Sequence, residues 1–472
     1  MKKIAKFLIV LGMMGQLSSC DYLDIVPDER AQESDTWKTE GAVRGYLYSC
    51  YGYLPANRTF GNSYWLAEEL TAVTKELFTT FKYGYYSPVS LGFTSNTWST
   101  IWNGIHQCYM FQESLKQVSN EYVTDEMKKQ YLAESNFLIA YYHFLSMRSY
   151  GPTMIIRSVI DLETPISGFP ERSSIDEVVA FINEKLDEAM SEGGLPTTWS
   201  GKDYGRATRL AALALKSRVY LYAASPLYNG NTEMYADFRS PLDGRQLIAQ
   251  EKSQAKWEIS ATQTKYAIDE VEKAKFHLYH DADAGEPSDA KPGLPNKAQR
   301  RLRYTNIDNQ TGNNPEIIWA DTRNDDYYGI QRRCPPRQTL GGKFAGISMT
   351  NCPTLQTIEA FYTKNGLPIN KDKTFDYDER YEYISAPENC DGNNYEDLVK
   401  YANFTPSSDK VMRLCTDREP RFYAWTTYHN GYFEFGKYNN EEISADPAKR
   451  AIRIHLLRDD PHGRGNRTDQ EY

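Results

Sequence analysis

Residues 203–229 read DYGRATRLAALALKSRVYLYAASPLYN, and this stretch decides the fold. Nearly every position from Leu210 to Ala224 is Ala, Leu, Val or Tyr, a composition with strong helix propensity. Because apolar residues cover more than one stripe, the helix should be buried on most of its sides. Pro226 and Asn229-Gly230 end it. The basic side chains of this stretch can pack their stems and reach carboxylates with their charged heads. They are Arg206, Arg209, Lys216 and Arg218.

A second helix is predicted after Asn96, a residue type that often caps helices. Its apolar positions recur at a spacing of three and four. They are Trp98, Ile101, Trp102, Ile105, Cys108 and Tyr109. This periodicity assigns Trp98 and Trp102 to the core rather than to a sugar-binding surface. Cys108 lies on the same stripe, and we expect it to be a free, buried thiol.

Further amphipathic helices are predicted on both sides of the central stretch. One runs from near Thr124 to Gly151-Pro152. Another follows Ser174, and a later one carries Trp257 and Val271. Consecutive amphipathic helices joined by short turns are typical of stacked helical hairpins of the tetratricopeptide kind. No repeat of about 34 residues is visible, so the hairpins should be degenerate copies within a single, mainly α body.

The character of the sequence changes after Asp281. Residues 281–316 are rich in Asp, Pro, Gly, Asn and Arg, a composition that predicts a long loop region. Short strand-like runs follow at 316–319 and 422–425, and one further helix is predicted at about 353–362. The second half is therefore predicted to consist of loops and short strands mounted on the helical frame.

The composition limits the classes of protein to which the chain can belong. It has 472 residues, of which 40% are hydrophobic, and a mean hydropathy of −0.65, which excludes a polytopic membrane protein. A formal net charge of −9 without a long basic run argues against nucleic acid as a partner. Tyrosine outnumbers phenylalanine by 36 to 19, and a ring that carries a hydroxyl suits a recognition surface.

The first twenty residues have the pattern of a bacterial lipoprotein leader. A start with three lysines precedes an apolar run at 7–17 that is too short to span a bilayer as a helix. The run ends in Leu-Ser-Ser-Cys20, which resembles a lipobox, so we expect cleavage before Cys20 and acylation of this residue. Residues 1–19 are thus predicted to be a signal peptide and residues 20–32 a lipidated tether.

Five segments in order resemble the SusD/RagB family of glycan-capturing surface lipoproteins. They are 133–142 (A-E-x-x-F-L-R-A), 205–223 (GR-x-T-x-x-A-A), 313–319 (N-x-E-I-I-F), 353–369 (P-T, then G-x-P-I) and 418–423 (R-D-P-R-F-Y). Together with the lipobox, they extend the resemblance along essentially the whole chain. The chain departs from these patterns at Ile139, which replaces an arginine, at Trp319, which replaces a phenylalanine, and at Glu419, which replaces an aspartate. In addition, Pro152 follows Gly151 earlier than usual. An ion pair from position 139 to Glu134 is therefore not expected.

The resemblance implies a fold, a location and a function. It implies degenerate tetratricopeptide-like hairpins at 33–280 and a loop-rich SusD-like portion at 281–472. We expect this second portion to be truncated at the C-terminus, with a poorly packed last stretch, because relatives usually continue further. The protein would be lipid-anchored in the outer membrane, facing the cell exterior, and would pass a glycan to a SusC-like TonB-dependent transporter. Peptide capture, as by RagB-like relatives, and a surface glycan hydrolase are the alternatives.

The sequence carries no motif of the common catalytic classes. G-x-S-x-G, H-E-x-x-H and P-loop patterns are absent, so we expect neither an enzyme nor a cofactor. His277 and His280 are interpreted as a polar helix terminus rather than a metal site. The adjacent carboxylates at 68–69 and 325–326 leave a hydrolase open, because sequence cannot place two of them across one bond. The six cysteines after Cys20 form no C-x-x-C pair.

Two aromatic stretches are predicted to bind the ligand. In 81–86, FKYGYY, alternate rings share one face of an extended segment and can stack on sugar rings, although a hairpin that buries them is an equal alternative. In 322–329, TRNDDYYG, polar side chains lie beside two tyrosines, as a hydroxyl-rich ligand requires. The resemblance implies that loops at this position help to form the glycan site. The predicted ligand-binding residues are Tyr83, Tyr85, Asn324, Asp325, Tyr327 and Tyr328.

Overall fold

The computed structural model describes residues 37–55, 69–72, 92–161, 163–280, 297–307, 314–323, 334, 351–385, 410–434, 437–438, 441–442, 451–453 and 456. The predicted signal peptide and tether lie outside these residues. Within these ranges, no helix combines the length and the apolar character needed to cross a membrane.

Successive helices build the first part of the fold. Ten helices occur in the described ranges: α1 (Glu40–Tyr51), α2 (Gly92–Leu115), α3 (Asp125–Tyr150), α4 (Ile175–Ala189), α5 (Arg209–Ala224), α6 (Thr232–Tyr235), α7 (Gln254–Lys273), α8 (Lys297–Ile307), α9 (Leu355–Ala360) and α10 (Pro420–Trp425). Helices α1 to α5 pack in chain order, each against the one before, and α7 packs against α5. This succession of hairpins confirms the predicted mainly α, tetratricopeptide-like fold.

Side-chain caps determine where several helices begin. The hydroxyls of Thr124 and Thr208 each accept a hydrogen bond from the backbone N–H three residues later. Ser174 and Glu177 form a complete capping box at the start of α4. The predicted cap at Asn96 is wrong, because α2 begins four residues earlier and Asn96 lies inside it. No proline interrupts the residues before Asn96, so the helix continues toward its N-terminus for another turn.

The central helix α5 lies in the main core, as predicted. Eight of its side chains are buried: Leu210, Ala211, Ala212, Leu213, Leu215, Val219, Ala223 and Ala224. The helix ends just before Ser225-Pro226, since proline cannot continue it. Its long basic side chains reach polar partners at the edge of the core. Lys216 lies 2.5 Å from the Asp187 carboxylate, whereas Arg209 donates to the carbonyl of Met190 instead of an acid.

Short strand pairs connect distant parts of the chain. In the described ranges all the strands pair two by two and antiparallel: β1 (Leu70–Ala72) with β4 (Asn351–Pro353), β2 (Thr153–Met154) with β3 (Arg172–Ser173), β5 (Tyr383–Ser385) with β6 (Lys410–Met412), β7 (Tyr432–Glu434) with β10 (Ala451–Arg453), and β8 (Lys437–Tyr438) with β9 (Glu441–Glu442). The backbone N–H of Thr354, just after β4, also donates to the carbonyl of Glu69. These contacts attach the second half to the helical part.

The second half contains more helix than the sequence predicts. The helix expected at 353–362 is confirmed as α9, but residues 422–425 form the end of α10 rather than a strand. Pro420 starts α10, because its fixed φ and missing N–H suit the first turn of a helix. Helix α8 was not predicted, since turn-forming residues surround it in the sequence. Residues 316–319, also predicted as a strand, form turns and bends.

A buried arginine holds the segments around α9 and α10 together. Arg418 is 3% exposed, and its guanidinium donates to the carbonyls of Leu414, Ile358 and Phe361 at 2.6–2.7 Å. It also lies 4.9 Å from the centre of the Phe422 ring. Burial lowers the pKa of Arg418, and the carbonyl oxygens compensate the charge that burial would otherwise penalise. The first arginine of the 418–423 segment is therefore structural.

Three cysteines in the described ranges are free, buried thiols. Cys50, Cys108 and Cys415 are buried, and Cys108 is fully enclosed between helices, which confirms the prediction for this residue. Burial raises the pKa of the Cys108 thiol well above its ordinary value, so this thiol is inert at neutral pH.

Candidate functional site

None of the predicted ligand-binding residues falls within the described ranges. This applies to Tyr83, Tyr85, Asn324, Asp325, Tyr327 and Tyr328, and also to the acylation site Cys20. Their roles stay predictions. The residues next to them are described, however, and they show how the predicted loops are anchored.

Arg323 ties the root of the second predicted loop to the end of α1. Its two terminal nitrogens donate to the carbonyls of Leu54 and Pro55 at 2.9 and 3.0 Å. Its Nε and one terminal nitrogen also bind the carboxylate of Asp321 at 2.8 and 2.7 Å, and this contact raises the pKa of Arg323. These contacts occupy the guanidinium and fix Arg323, the last described residue before Asn324, against the chain that follows α1.

A half-buried aromatic cluster lies where α2 meets the end of α3. Trp98 contacts Trp102 and Tyr150 edge to face, with ring centres 5.3 and 4.9 Å apart. Trp102 also packs against the main core and lies edge-on to His143. Its indole N–H is buried, with no hydrogen-bond partner among the described residues. The assignment of both tryptophans to the core therefore holds only in part, since each keeps some exposure.

An aromatic group held by hydrogen bonds and a guanidinium stack lies just before β5. The guanidinium of Arg380 is 3.9 Å from the ring centre of Tyr377 and 4.3 Å from that of Tyr381. Its Nε donates to Glu359 at 2.8 Å, and the hydroxyl of Tyr381 donates to the same carboxylate oxygen. Although burial raises the pKa of Glu359, these two hydrogen bonds hold it below its ordinary value. Together with Tyr383, these residues form what we call the Tyr381 surface.

Several rings in this half of the protein are exposed to solvent. Tyr381 is 42% exposed, Tyr383 41% and Trp425 52%. The indole N–H of Trp425 donates to the carbonyl of Leu302 at 3.2 Å, which orients the exposed ring. Sequence reasoning missed all three. The run DYDERYEY at 376–383, in which aromatic and charged residues alternate, was the signal that could have found two of them.

A buried carboxylate network lies in the helical part. Glu134 is fully buried and accepts hydrogen bonds from Arg206 at 2.5 and 3.2 Å and from the Tyr51 hydroxyl at 2.6 Å. Burial raises the pKa of Glu134, and its donors oppose that rise. Arg206 also covers the Trp199 ring at 4.0 Å. Arg206 is thus the cationic partner of Glu134, a role that Ile139 cannot take. The network joins α1, α3 and the segment just before α5.

The described residues offer binding groups rather than a metal centre. No group of three His, Cys, Asp or Glu side chains in these ranges could hold a metal ion. His277 and His280 stack with ring centres 5.3 Å apart, a few residues beyond the end of α7. Oriented rings beside carboxylates and a guanidinium can bind a ligand that has apolar faces and many hydroxyls.

Comparison with known families supports the same chemistry. A SusD-like family model, described as starch-binding and associating with the outer membrane, matches residues 21–221, and the SusD family model matches residues 315–455. The chain belongs to the SusD/RagB family. The description of the first model links this family to carbohydrate binding and to the outer membrane. This confirms the resemblance in the sequence.

Solved structures of SusD-like proteins share the fold. The chain is 27% identical to BT4246, with a TM-score of 0.69 over 90% of this chain and 69% of that one. A SusD-like protein from Bacteroides fragilis NCTC 9343 gives a TM-score of 0.57 over 92% of this chain and 68% of that one, and its 19% identity shows the fold alone. The SusD/RagB chain described here thus spans about two thirds of the length of these two proteins. A comparison with curated proteins finds no match.

Proposed function

We propose that this SusD/RagB protein captures a glycan, an oligosaccharide or polysaccharide, at the cell surface and delivers it to a SusC-like TonB-dependent outer-membrane transporter. The observation that carries the proposal is the match to two family models, one of them described as starch-binding, over 21–221 and 315–455. Oriented, exposed tyrosine rings support a role in binding. In this proposal the protein performs no catalysis, and peptide capture and glycan hydrolysis are the competing functions.

The proposed glycan site combines the two predicted aromatic stretches. Tyr83, Tyr85, Tyr327 and Tyr328 would supply faces that stack on sugar rings. Asn324 and Asp325 would exchange hydrogen bonds with hydroxyl groups. The hydrogen bonds from Arg323 to the end of α1 support this arrangement, because they hold the root of one stretch against the helical part.

Truncation of the proposed rings should weaken glycan binding without unfolding the protein. We expect Tyr85→Ala and Tyr328→Ala each to lose about 1–3 kcal/mol of binding free energy, as single hot-spot contacts do. Calorimetric titration with a panel of starch-derived and other oligosaccharides measures the loss, and thermal melts measure stability. Trp102→Ala is the control, because its partly buried ring packs on the core and should lose stability first.

Two outcomes would contradict the proposed site. Both tyrosine variants could bind as the wild type does, or both could unfold before any effect on binding is measurable. Product analysis during the same titrations separates binding from hydrolysis. A parallel titration with a peptide library tests the RagB-like alternative.

The proposed lipid anchor is tested at Cys20. We expect Cys20→Ala to abolish labelling by a fatty-acid analogue and to release the protein from the outer membrane or leave an unprocessed precursor, since cleavage and acylation both require this residue. Cys334→Ala, which removes an exposed cysteine elsewhere, is the control and should remain labelled. A Cys20→Ala protein that takes up label and stays in the outer-membrane fraction would rule out this anchor.

A further inference from the structure

We propose that the Tyr381 surface is a second carbohydrate-binding surface and that it takes a neutral glycan chain. It is formed by Glu359, Tyr377, Arg380, Tyr381 and Tyr383, none of which belongs to the six residues of the proposed site. The inference rests on the proposed function, because it concerns a further contact with the same class of ligand.

The Tyr381 ring is held in place and is still exposed. Its hydroxyl is bound to Glu359, and the Arg380 guanidinium covers one of its faces at 4.3 Å. With one face covered in this way, the residue still keeps 42% of its surface exposed. A ring that is already immobilised loses little conformational entropy when a sugar stacks on it. This preorganisation distinguishes Tyr381 from a freely rotating surface tyrosine.

A second exposed ring, that of Tyr383, follows on a rigid support. Tyr383 begins β5, two residues after Tyr381, so their Cα atoms are at most about 7 Å apart. The next residue, Ile384, pairs with the fully buried Val411 of β6 and packs on the core beneath. The strand pair thus fixes Tyr383 while leaving it 41% exposed. Two fixed rings at this separation can contact the same glycan chain.

The charge around these rings favours a neutral glycan. Residues 373–382 contain two basic side chains and four exposed acidic ones, Asp376, Asp378, Glu379 and Glu382. Glu379 and Glu382 are exposed close to the rings, and Glu379 is only partly neutralised by Arg413 at 3.0 Å. Carboxylates accept hydrogen bonds from sugar hydroxyls but repel carboxylate or sulfate groups on a ligand. A glycan that carries uronic acids or sulfates is therefore disfavoured at this surface.

The experiment compares single variants in titrations of the full chain with neutral oligosaccharides of increasing length. We expect Tyr381→Ala and Tyr383→Ala each to weaken binding of the longer chains by about fivefold or more. Tyr266→Ala is the matched control, since Tyr266 is equally exposed, at 42%, but lies on α7 in the helical part, and it should bind as the wild type does. Tyr383→Ala keeps the test valid if loss of the Tyr381 hydroxyl disturbs the Arg380 stack.

Charge selectivity is tested with ligands of matched length. A uronic-acid or sulfated oligosaccharide should bind more weakly than its neutral counterpart, and the difference should narrow at high salt as the charges are screened. Equal affinity for the charged and the neutral oligosaccharide at low salt would contradict the proposal that this surface takes a neutral glycan. The proposal would also be overturned if lysine-rich peptides bind, glycans do not, and Tyr381→Ala abolishes the binding of the peptides. The Tyr381 surface would then be a peptide-binding surface.

The two proposals fail in different ways. If the wild type binds no oligosaccharide or polysaccharide of the panel, the proposed function fails and this inference fails with it. If the wild type binds glycans but Tyr381→Ala and Tyr383→Ala match Tyr266→Ala at every length, the second surface is wrong and the proposed function stands.

Discussion

Replacement of Arg206 by methionine is expected to lower the free energy of unfolding by about 3–5 kcal/mol. The Glu134 carboxylate is fully buried and accepts two of its three hydrogen bonds from Arg206. With methionine at position 206, only the Tyr51 hydroxyl would remain to compensate a charge that water cannot reach. Chemical denaturation at neutral pH measures the loss.

Two comparisons separate the cost of an unpaired buried charge from the loss of an ordinary ion pair. The double variant Arg206→Met, Glu134→Gln removes the charge together with its partner and should recover much of the stability. Arg157→Met breaks the pair between Arg157 and Glu184, which lies 2.7 Å apart at the surface with side chains 59% and 42% exposed. This exposed pair should contribute no more than about 1 kcal/mol. Equal losses for Arg206→Met and Arg157→Met would contradict the assignment.

Acidification from pH 6.5 to pH 4 is expected to remove about 3 kcal/mol of stability through His143. Burial lowers the pKa of this imidazole from 6.5 to about 4. Between these values the unfolded chain binds a proton that the folded protein does not, so protonation favours unfolding as the pH falls. The contribution is fully present above pH 6.5, and the loss is complete below about pH 4. Denaturant titrations at a series of pH values measure it.

The surroundings of His143 explain why it stays neutral. Its Nδ1 lies 2.8 Å from the carbonyl of Ile139 and its Nε2 accepts the backbone N–H of Ile156, so the neutral imidazole satisfies both groups. Nearby Lys185 and Arg157 lower its pKa further. His143→Gln should flatten the pH dependence, whatever its effect on stability at neutral pH. His106→Gln, at an exposed position of α2, is the control and should leave the slope unchanged. A His143→Gln slope identical to that of the wild type would refute this role.

The helical part could be predicted from sequence because its signals act over short distances. Thr124, Ser174 and Thr208 cap their helices through contacts with backbone groups three residues away. The run of apolar residues in α5 predicts a buried helix without any knowledge of the elements that pack against it. The strand predicted at 422–425 was wrong, because the prediction considered only the propensities of the residues themselves. Its aromatic residues favour strands on average, but Pro420 and the packing of Phe422 on a buried core give a helix.

Exposed binding rings could not be predicted in the same way. Tyr381 and Tyr142 are the same residue type, yet one is 42% exposed and the other is fully buried between helices. The exposure of Tyr381 depends on Glu359, which lies 22 residues earlier in the chain, and on the pairing of β5 with β6. The residues next to a tyrosine in the sequence do not show which distant residues will contact it, so they cannot predict whether its ring is exposed.

The sequence by itself determined the family and the order of the helices, because periodicity and motif spacing are properties of neighbouring residues. Only the tertiary structure decided that Glu134 pairs with Arg206, 72 residues away. The sequence did not predict this pair, because position 139, where relatives have an arginine, is an isoleucine. The tertiary structure also decided which tyrosines are held in place and remain exposed at the surface. Burial and charge pairing arise between residues far apart in the chain, so the folded protein alone brings them together.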